Sequence, residues 1–406
     1  MKIIIYTAAL AAALTANATN VPYFAVVTSP VADLLFQPMN ELKNHYKKGY
    51  SYDQIAISCK TEGHSLYACP RAHQLRANDL VKVLEETQDE VKIHVPSFFY
   101  LRKDTTIAQQ NYWMRKKDII ALKDLPCCTP EQPCIPKPIV INTPIPHSVT
   151  LAQPWYNNTT HTLFSAGTRF ASSGSDELNY HIFVFDPSLK RYVAALCPIE
   201  ECVETPGAHL KDRRTQMIAL IRSWITDEDE DTFIPYAFGG SSIVKKVHSK
   251  RAAHEHKVHL ANGEPAICYE WPGVKHQTPK TGIDCSGLIL LAAHSTGIPY
   301  FCKNSYTALT TLRPVSAEEP LEVGDVIWVR GHVMLVADLE NNTLIEARGY
   351  EHGYGKLQEI PISEQFKGIK TYQELIARYQ NNQSIERIDK DGNVRDIVHI
   401  KLLKLA

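Results

Sequence analysis

The chain has 406 residues, 44% of them apolar, which is ample for packed cores and excludes a disordered polymer. Two or three domains are expected at that length. Lys and Arg total 43 against 44 acidic residues, so a formal net charge of −1 gives no reason to expect a nucleic acid or an anionic membrane as partner.

The chain opens as a secretion signal. Met1-Lys2 carries a positive charge, Ile3 to Leu14 is apolar, and Ala16-Asn17-Ala18 fits a small-x-small cleavage site. Residues 1–18 are therefore expected to be a signal peptide, with an exported mature chain, periplasmic or secreted, starting near Thr19. No later run reaches the ~18 apolar residues of a membrane span, so none is expected after signal removal.

Ten cysteines in an exported chain point to disulfides. The close pairs are Cys59/Cys69, Cys197/Cys202, and Cys134 with Cys127 or Cys128. Cys268 and Cys302 flank Cys285 in sequence. The spacing leaves connectivity open. No CxxC pair is present, so no metal site is expected.

Residues 19–125 mix short strand-like runs with loops: YFAVVTS (23–29), KIHVPSFFYL (92–101) and the segment around YW (112–113). Residues 40–75 look like an insertion. A linker of 126–148 follows, in which 126–146 hold seven of the 24 prolines. Residues 149–208 again read as all-β, with a hairpin tip at Pro187-Ser188.

From 209 to 406 the pattern changes. In 213–226, Met217, Leu220, Ile221, Trp224 and Ile225 recur at helical spacing and form one apolar face. DEDED (227–231) reads as a solvated loop, and PYAFGG (235–240) follows it. The insertion 241–281 is basic, carries His248, His254, His256 and His259, and reads as a solvated loop or lid. A lid of that charge would attract acidic peptides.

TGIDCSGLIL (281–290) carries most of the chemistry. Cys285 stands between an acid and two small residues, before an apolar run suited to a buried helix. A helix N-terminus favours a thiolate, and a nucleophilic cysteine needs a histidine base from elsewhere. LEVGDVIWVRGHVMLVAD (321–338) reads as two strands joined at Arg330-Gly331, the second opening with His332. TLIEARG (343–349) is a third strand, with Glu346 among apolar residues.

PYAFGGSS, GIDCSGL, VGDVIWV, GHVMLV and LIEA occur in the order found in NlpC/P60 cysteine peptidases, and residues 209–375 resemble that family. The resemblance implies an α+β fold in which a papain-like NlpC/P60 domain holds the cysteine on a helix and the histidine on a small antiparallel sheet. It implies hydrolysis of bonds between γ-D-glutamate and a diamino acid in bacterial cell-wall peptides. Cys285 would be the nucleophile, His332 the base and Glu346 the third polar residue, with His352 the alternative. SPVADLLFQP (29–38) is similar to the start of the first of two bacterial SH3-like barrels in three-domain members. That assigns 19–125 and 149–208 to SH3-like domains and 209–406 to the peptidase.

Such members cleave peptides with a free N-terminal L-alanine. The resemblance then makes Asp284 a partner for the substrate amine, aided by Ser286, and puts Tyr236, Asn304 and Ser305 in the pocket. Tyr112 is the candidate contributed by the first barrel. The implied partners are peptidoglycan stem peptides or fragments, no cofactor is needed, and a monomer is expected. Two other readings stay open: a wall-binding protein with a degenerate site, and an acyl-transferase or amidase on the same scaffold.

Overall fold

The computed structural model describes residues 21–43, 51–56, 70–102, 107–126, 134–204, 207–225, 232–245, 247–248, 254–259, 265–270, 280–349, 355–389 and 391–405, with backbone alone for 247–248, 254–259 and 265–270. The expected signal peptide, DEDED, His352, Cys59, Cys69, Cys127, Cys128 and the Cys268 side chain lie outside the described residues.

Alternating apolar residues build the first module. Its strands are β1 (Tyr23–Val27), β2 (Val31–Leu35), β3 (Arg71–Arg76), β4 (Leu80–Glu86), β5 (Glu90–His94), β6 (Asn111–Arg115) and β7 (Ile119–Ala121). They form one antiparallel sheet in the order β3-β2-β6-β5-β4-β1-β7. Two short helices, α1 (Met39–Leu42) and α2 (Tyr52–Ala56), interrupt β2 and β3. The expected insertion therefore ends earlier than residue 75, since β3 begins at Arg71.

Strand β3 reads RAHQLR, yet all six residues are buried. Arg71 and Gln74 reach carbonyls of the third module. Arg71 Nε donates to Phe238 O (2.8 Å), Arg71 Nη1 to Lys280 O (2.9 Å) and Gln74 Nε2 to Lys280 O (2.7 Å). Ser242 Oγ donates to Gln74 Oε1 (2.7 Å), and Arg71 pairs with Asp33 (3.5 Å). An edge strand covered in this way does not template aggregation.

The second module is built from β8 (Val149–Thr150), β9 (Trp155–Asn157), β10 (Thr162–Phe164), β11 (Arg169–Phe170), β12 (Ser172–Ser175), β13 (Asn179–Asp186) and β14 (Arg191–Pro198). β13 and β14 form the expected hairpin, closing at the Asp186–Arg191 pair. Trp155, Phe164 and Phe170 stack at its centre. Cys197 and Cys202 are buried with their sulfurs 3.6 Å apart, beyond the ~2.05 Å of a disulfide. Among the described residues no disulfide is present, and Cys197 and Cys202 are free thiols where the sequence leads one to expect a close pair.

In the third module, helix α3 (Leu210–Trp224) buries Met217, Leu220, Ile221 and Trp224, the face that the spacing predicts. β15 (Ser241–Ser242) pairs with β18 (Gly282–Ile283). Between them, β16 (His254–His259) and β17 (Pro265–Glu270) pair as a hairpin inside the basic insertion, where a loop is expected from sequence. Helix α4 (Cys285–Ser295) is buried on every side, as its apolar sequence requires. Helix α5 (Ser305–Thr311) follows it.

The main sheet is β22-β21-β20-β19-β25, made from β19 (Val326–Val329), β20 (His332–Asp338), β21 (Thr343–Arg348), β22 (Lys356–Pro361) and β25 (Lys401–Leu403). One face packs on α3 and α4, within a core that runs on into the first module. Helix α6 (Tyr372–Gln380) and the hairpin of β23 (Ile385–Ile388) and β24 (Val394–Val398) cover the other.

Trp224 links α3 to the second module: it is 1% exposed and its Nε1 donates to Ala152 O at 2.7 Å. Trp224→Ala is expected to lower unfolding stability by about 3–5 kcal/mol, measured by chemical denaturation. A loss under ~1 kcal/mol would mean the site collapses freely.

Candidate active site

Helix α4 begins where the chemistry is expected. Asp284 is its N-cap, accepting the Gly287 amide at 2.5 Å. A Cβ at Gly287 would collide with the Gly240 carbonyl, and one at Gly240 would lie 2.5 Å from Gly282 O. FGG and DCSG are thus one packed unit, and only glycines let the helix start approach the turn so closely. Tyr236 lies half-buried beside this unit, bridged to Ile283 through the backbone.

Cys285 is 9% exposed, and its thiol lies within hydrogen-bond reach of the amide of Val333, the residue that follows His332 on β20. His332 Nε2 is 2.7 Å from Glu346 Oε2 on the neighbouring strand. Glu346 is fully buried and also accepts from Gln358 Nε2 at 3.0 Å, with Arg348 Nη1 at 3.7 Å.

Burial raises the Glu346 carboxyl, but the His332 contact, Arg348 and Gln358 outweigh it and hold the group at about 2. It is therefore a carboxylate at neutral pH, and a carboxylate only accepts. The hydrogen must sit on His332 Nε2, which leaves the lone pair on Nδ1. Burial lowers His332 below the usual imidazole range, with Glu346 opposing it.

Burial and the Asp284 charge push the Cys285 thiol up to about 12, against the Val333 amide and Lys303. The sequence leads one to expect a thiolate favoured by the helix terminus. In the folded chain desolvation exceeds that effect and holds the thiol above its usual range.

The remaining candidates are brought close, but most are already engaged. Asp284 Oδ2 meets Lys303 Nζ at 2.7 Å, and both side chains are nearly buried. Ser286 Oγ donates to Lys303 O (2.7 Å). Asn304 caps α5 through Thr307 N (2.6 Å), and its Nδ2 donates to Leu101 O (2.9 Å). Ser305 is half-buried and its carbonyl accepts from Trp328 Nε1 (2.8 Å).

Tyr112 does not face the cleft. It is fully buried in the first module, packed on Phe36 and Phe98, with its hydroxyl on Gln109 O. Tyr100 takes that place. It is half-buried, hydrogen-bonds Asn304, and stands close enough to Asp284 and Cys285 for their charges to raise its hydroxyl, after burial, the larger cause. Pro96 interrupts KIHVPSFFYL, which frees 99–101 from the first sheet. Phe99 then pairs with Phe301 and Lys303 through the backbone (3.0 and 3.1 Å). That proline was the signal available in the sequence.

No protein-family model matches the chain, and no curated protein matches it. Solved structures do. An NlpC/P60 family protein from Bacillus cereus ATCC 10987 superposes with a TM-score of 0.51 at 15% identity, over 84% of this chain and 94% of that one. The chain has an NlpC/P60-type fold. It is also similar to an NlpC/P60 endopeptidase from Photobacterium damselae subsp. piscicida (TM-score 0.44, 10% identity, 94% of this chain and 74% of that one). NlpC2 from Trichomonas vaginalis matches at a TM-score of 0.30 and 10% identity, over 84% and 94% of the two chains.

Proposed function

We propose that the chain is an exported cysteine peptidase that hydrolyses γ-D-glutamyl–diamino acid bonds in cell-wall peptides, with SH3-like modules ahead of a papain-like domain. The observation that carries this reading is His332, held in one tautomer by a buried carboxylate, on the strand whose Val333 amide meets a thiol at a helix N-terminus. His332 Nδ1 takes the Cys285 proton as sulfur attacks the γ-glutamyl carbonyl. Backbone N–H groups of the first turn of α4 stabilise the oxyanion. The imidazolium, balanced by Glu346, then protonates the leaving amine, and water hydrolyses the thioester.

Short substrates fit this reading, because segment 99–101 of the first module bridges to Cys302 and brings Tyr100 near Asp284 and Cys285. A free N-terminal L-alanine fits that end. Since Asp284 already faces Lys303, the amine is expected to be held less tightly than by an unpaired carboxylate.

The test is mass spectrometry of L-Ala-γ-D-Glu-diaminopimelate incubated with the mature chain. Release of L-Ala-γ-D-Glu and free diaminopimelate is the expected result. A new amide formed with an added amine would favour the transferase reading. Intact peptide that stays bound would favour the wall-binding one.

A further inference from the structure

Buried cations among the described residues follow a rule with two exceptions. Among the described residues, Arg71, Arg214, Arg348, Arg387, Lys303 and Lys404 are buried, and each has a carboxylate within 4.0 Å. Arg76 and Arg169 are each 6% exposed and make no ion pair among the described residues. A buried guanidinium without a counter-charge is unfavourable, and natural proteins supply one.

The two side chains line one small cavity where the three modules meet. Arg76 ends β3 and Arg169 lies on β11. The β3–β4 turn with Asn78 and Asp79, the linker at Lys137 and His294 on α4 complete the walls. The local partners are neutral. Arg76 Nη1 donates to Ser241 O (3.1 Å), Arg169 Nε to Ser148 Oγ (2.8 Å) and Arg169 Nη2 to Pro146 O (3.2 Å). Arg76 Nε is buried with no acceptor.

Asp79, the carboxylate in the wall, accepts the Arg76 backbone amide through Oδ2 (2.8 Å). His294 adds no charge. Burial and then Arg76 hold it down to about 3, and its Nε2 donates to Tyr300 O at 2.7 Å. Arg169 is pushed down to about 10, by burial first and by Arg76 as well, with Asp79 opposing. The cavity measures about 20 Å³, room for one water or one monatomic ion.

We propose that this cavity binds a single small monovalent anion of the halide class, held between the Arg76 and Arg169 guanidiniums. The ion supplies the missing counter-charge and ties both N-terminal modules to α4, the helix that also carries Cys285. Chloride is the physiological ion of that size and charge.

The test uses the full mature chain and bromide as probe. Crystals grown in sodium bromide should show an anomalous peak between the two guanidiniums. At fixed ionic strength, replacing gluconate with bromide should raise Tm by about 2 °C per tenfold increase once the site begins to fill. Arg76→Met with Arg169→Met should abolish that dependence. If the double variant does not fold, the wild-type peak and the bromide-against-gluconate comparison still decide. No peak, or equal Tm in both salts, would overturn the proposal. So would a rise in phosphate but not in bromide, which would point to an oxyanion instead.

Discussion

Cys285→Ala is expected to lower turnover of L-Ala-γ-D-Glu-diaminopimelate by about 10⁴–10⁶-fold, since no other group can form the thioester. The fold should survive, because the change removes one sulfur at the start of a helix held by Asp284 and by the Gly287–Gly240 contact. Circular dichroism and Tm check that point. The wild-type thiol should also show its state directly. With burial holding it at about 12, iodoacetamide labelling should climb steadily above pH 7. A plateau between pH 5 and 7 would instead mean a resting thiolate–imidazolium pair.

Glu346 is expected to have the next largest effect. Glu346→Ala removes the group that fixes the His332 tautomer and balances the imidazolium, and kcat/KM should fall by about 10²–10⁴-fold. Glu346→Gln should cost less, about 10–10²-fold. The amide keeps one acceptor for His332 Nε2, and Gln358 can reverse its own amide to meet the new NH₂. The pH profile separates charge from geometry. His332 acts as a base only when neutral, so the rate rises as pH rises through its folded pKa, which lies below 6.5. The Glu346 charge opposes that lowering. Without it the acid limb should move to still lower pH in the Gln variant. An unmoved or upward-shifted limb would show that the carboxylate does not govern the base. The depressed Glu346 pKa also stabilises the fold above about pH 4.5, and that contribution is lost as pH falls toward 2.

The strands and helix of the candidate site were legible because their chemistry is local. DCSGL combines an N-cap, a small-residue contact and an apolar helix, and GHVMLV and TLIEA read as strands buried on both faces. Adjacent antiparallel strands, with Leu335 opposite Ile345, put Glu346 diagonally across from His332. What escaped the sequence depends on contacts between modules. RAHQLR looks like a solvated segment, yet its polar groups meet carbonyls more than 160 residues away in the chain. Tyr100 and Tyr112 are equally plausible by type, and the break at Pro96 sends only the first toward the cysteine. The raised thiol is hard to read from sequence for a related reason. Helix-terminus chemistry is visible in sequence, whereas desolvation depends on everything packed around the sulfur.

The measurement that bears most directly on the central claim is acid-quenched mass spectrometry of the enzyme during turnover of the tripeptide. The account predicts an L-alanyl-γ-D-glutamyl adduct on the peptide that contains Cys285, absent in Cys285→Ala. Turnover with no adduct, together with full activity after Cys285 has been alkylated, would contradict it.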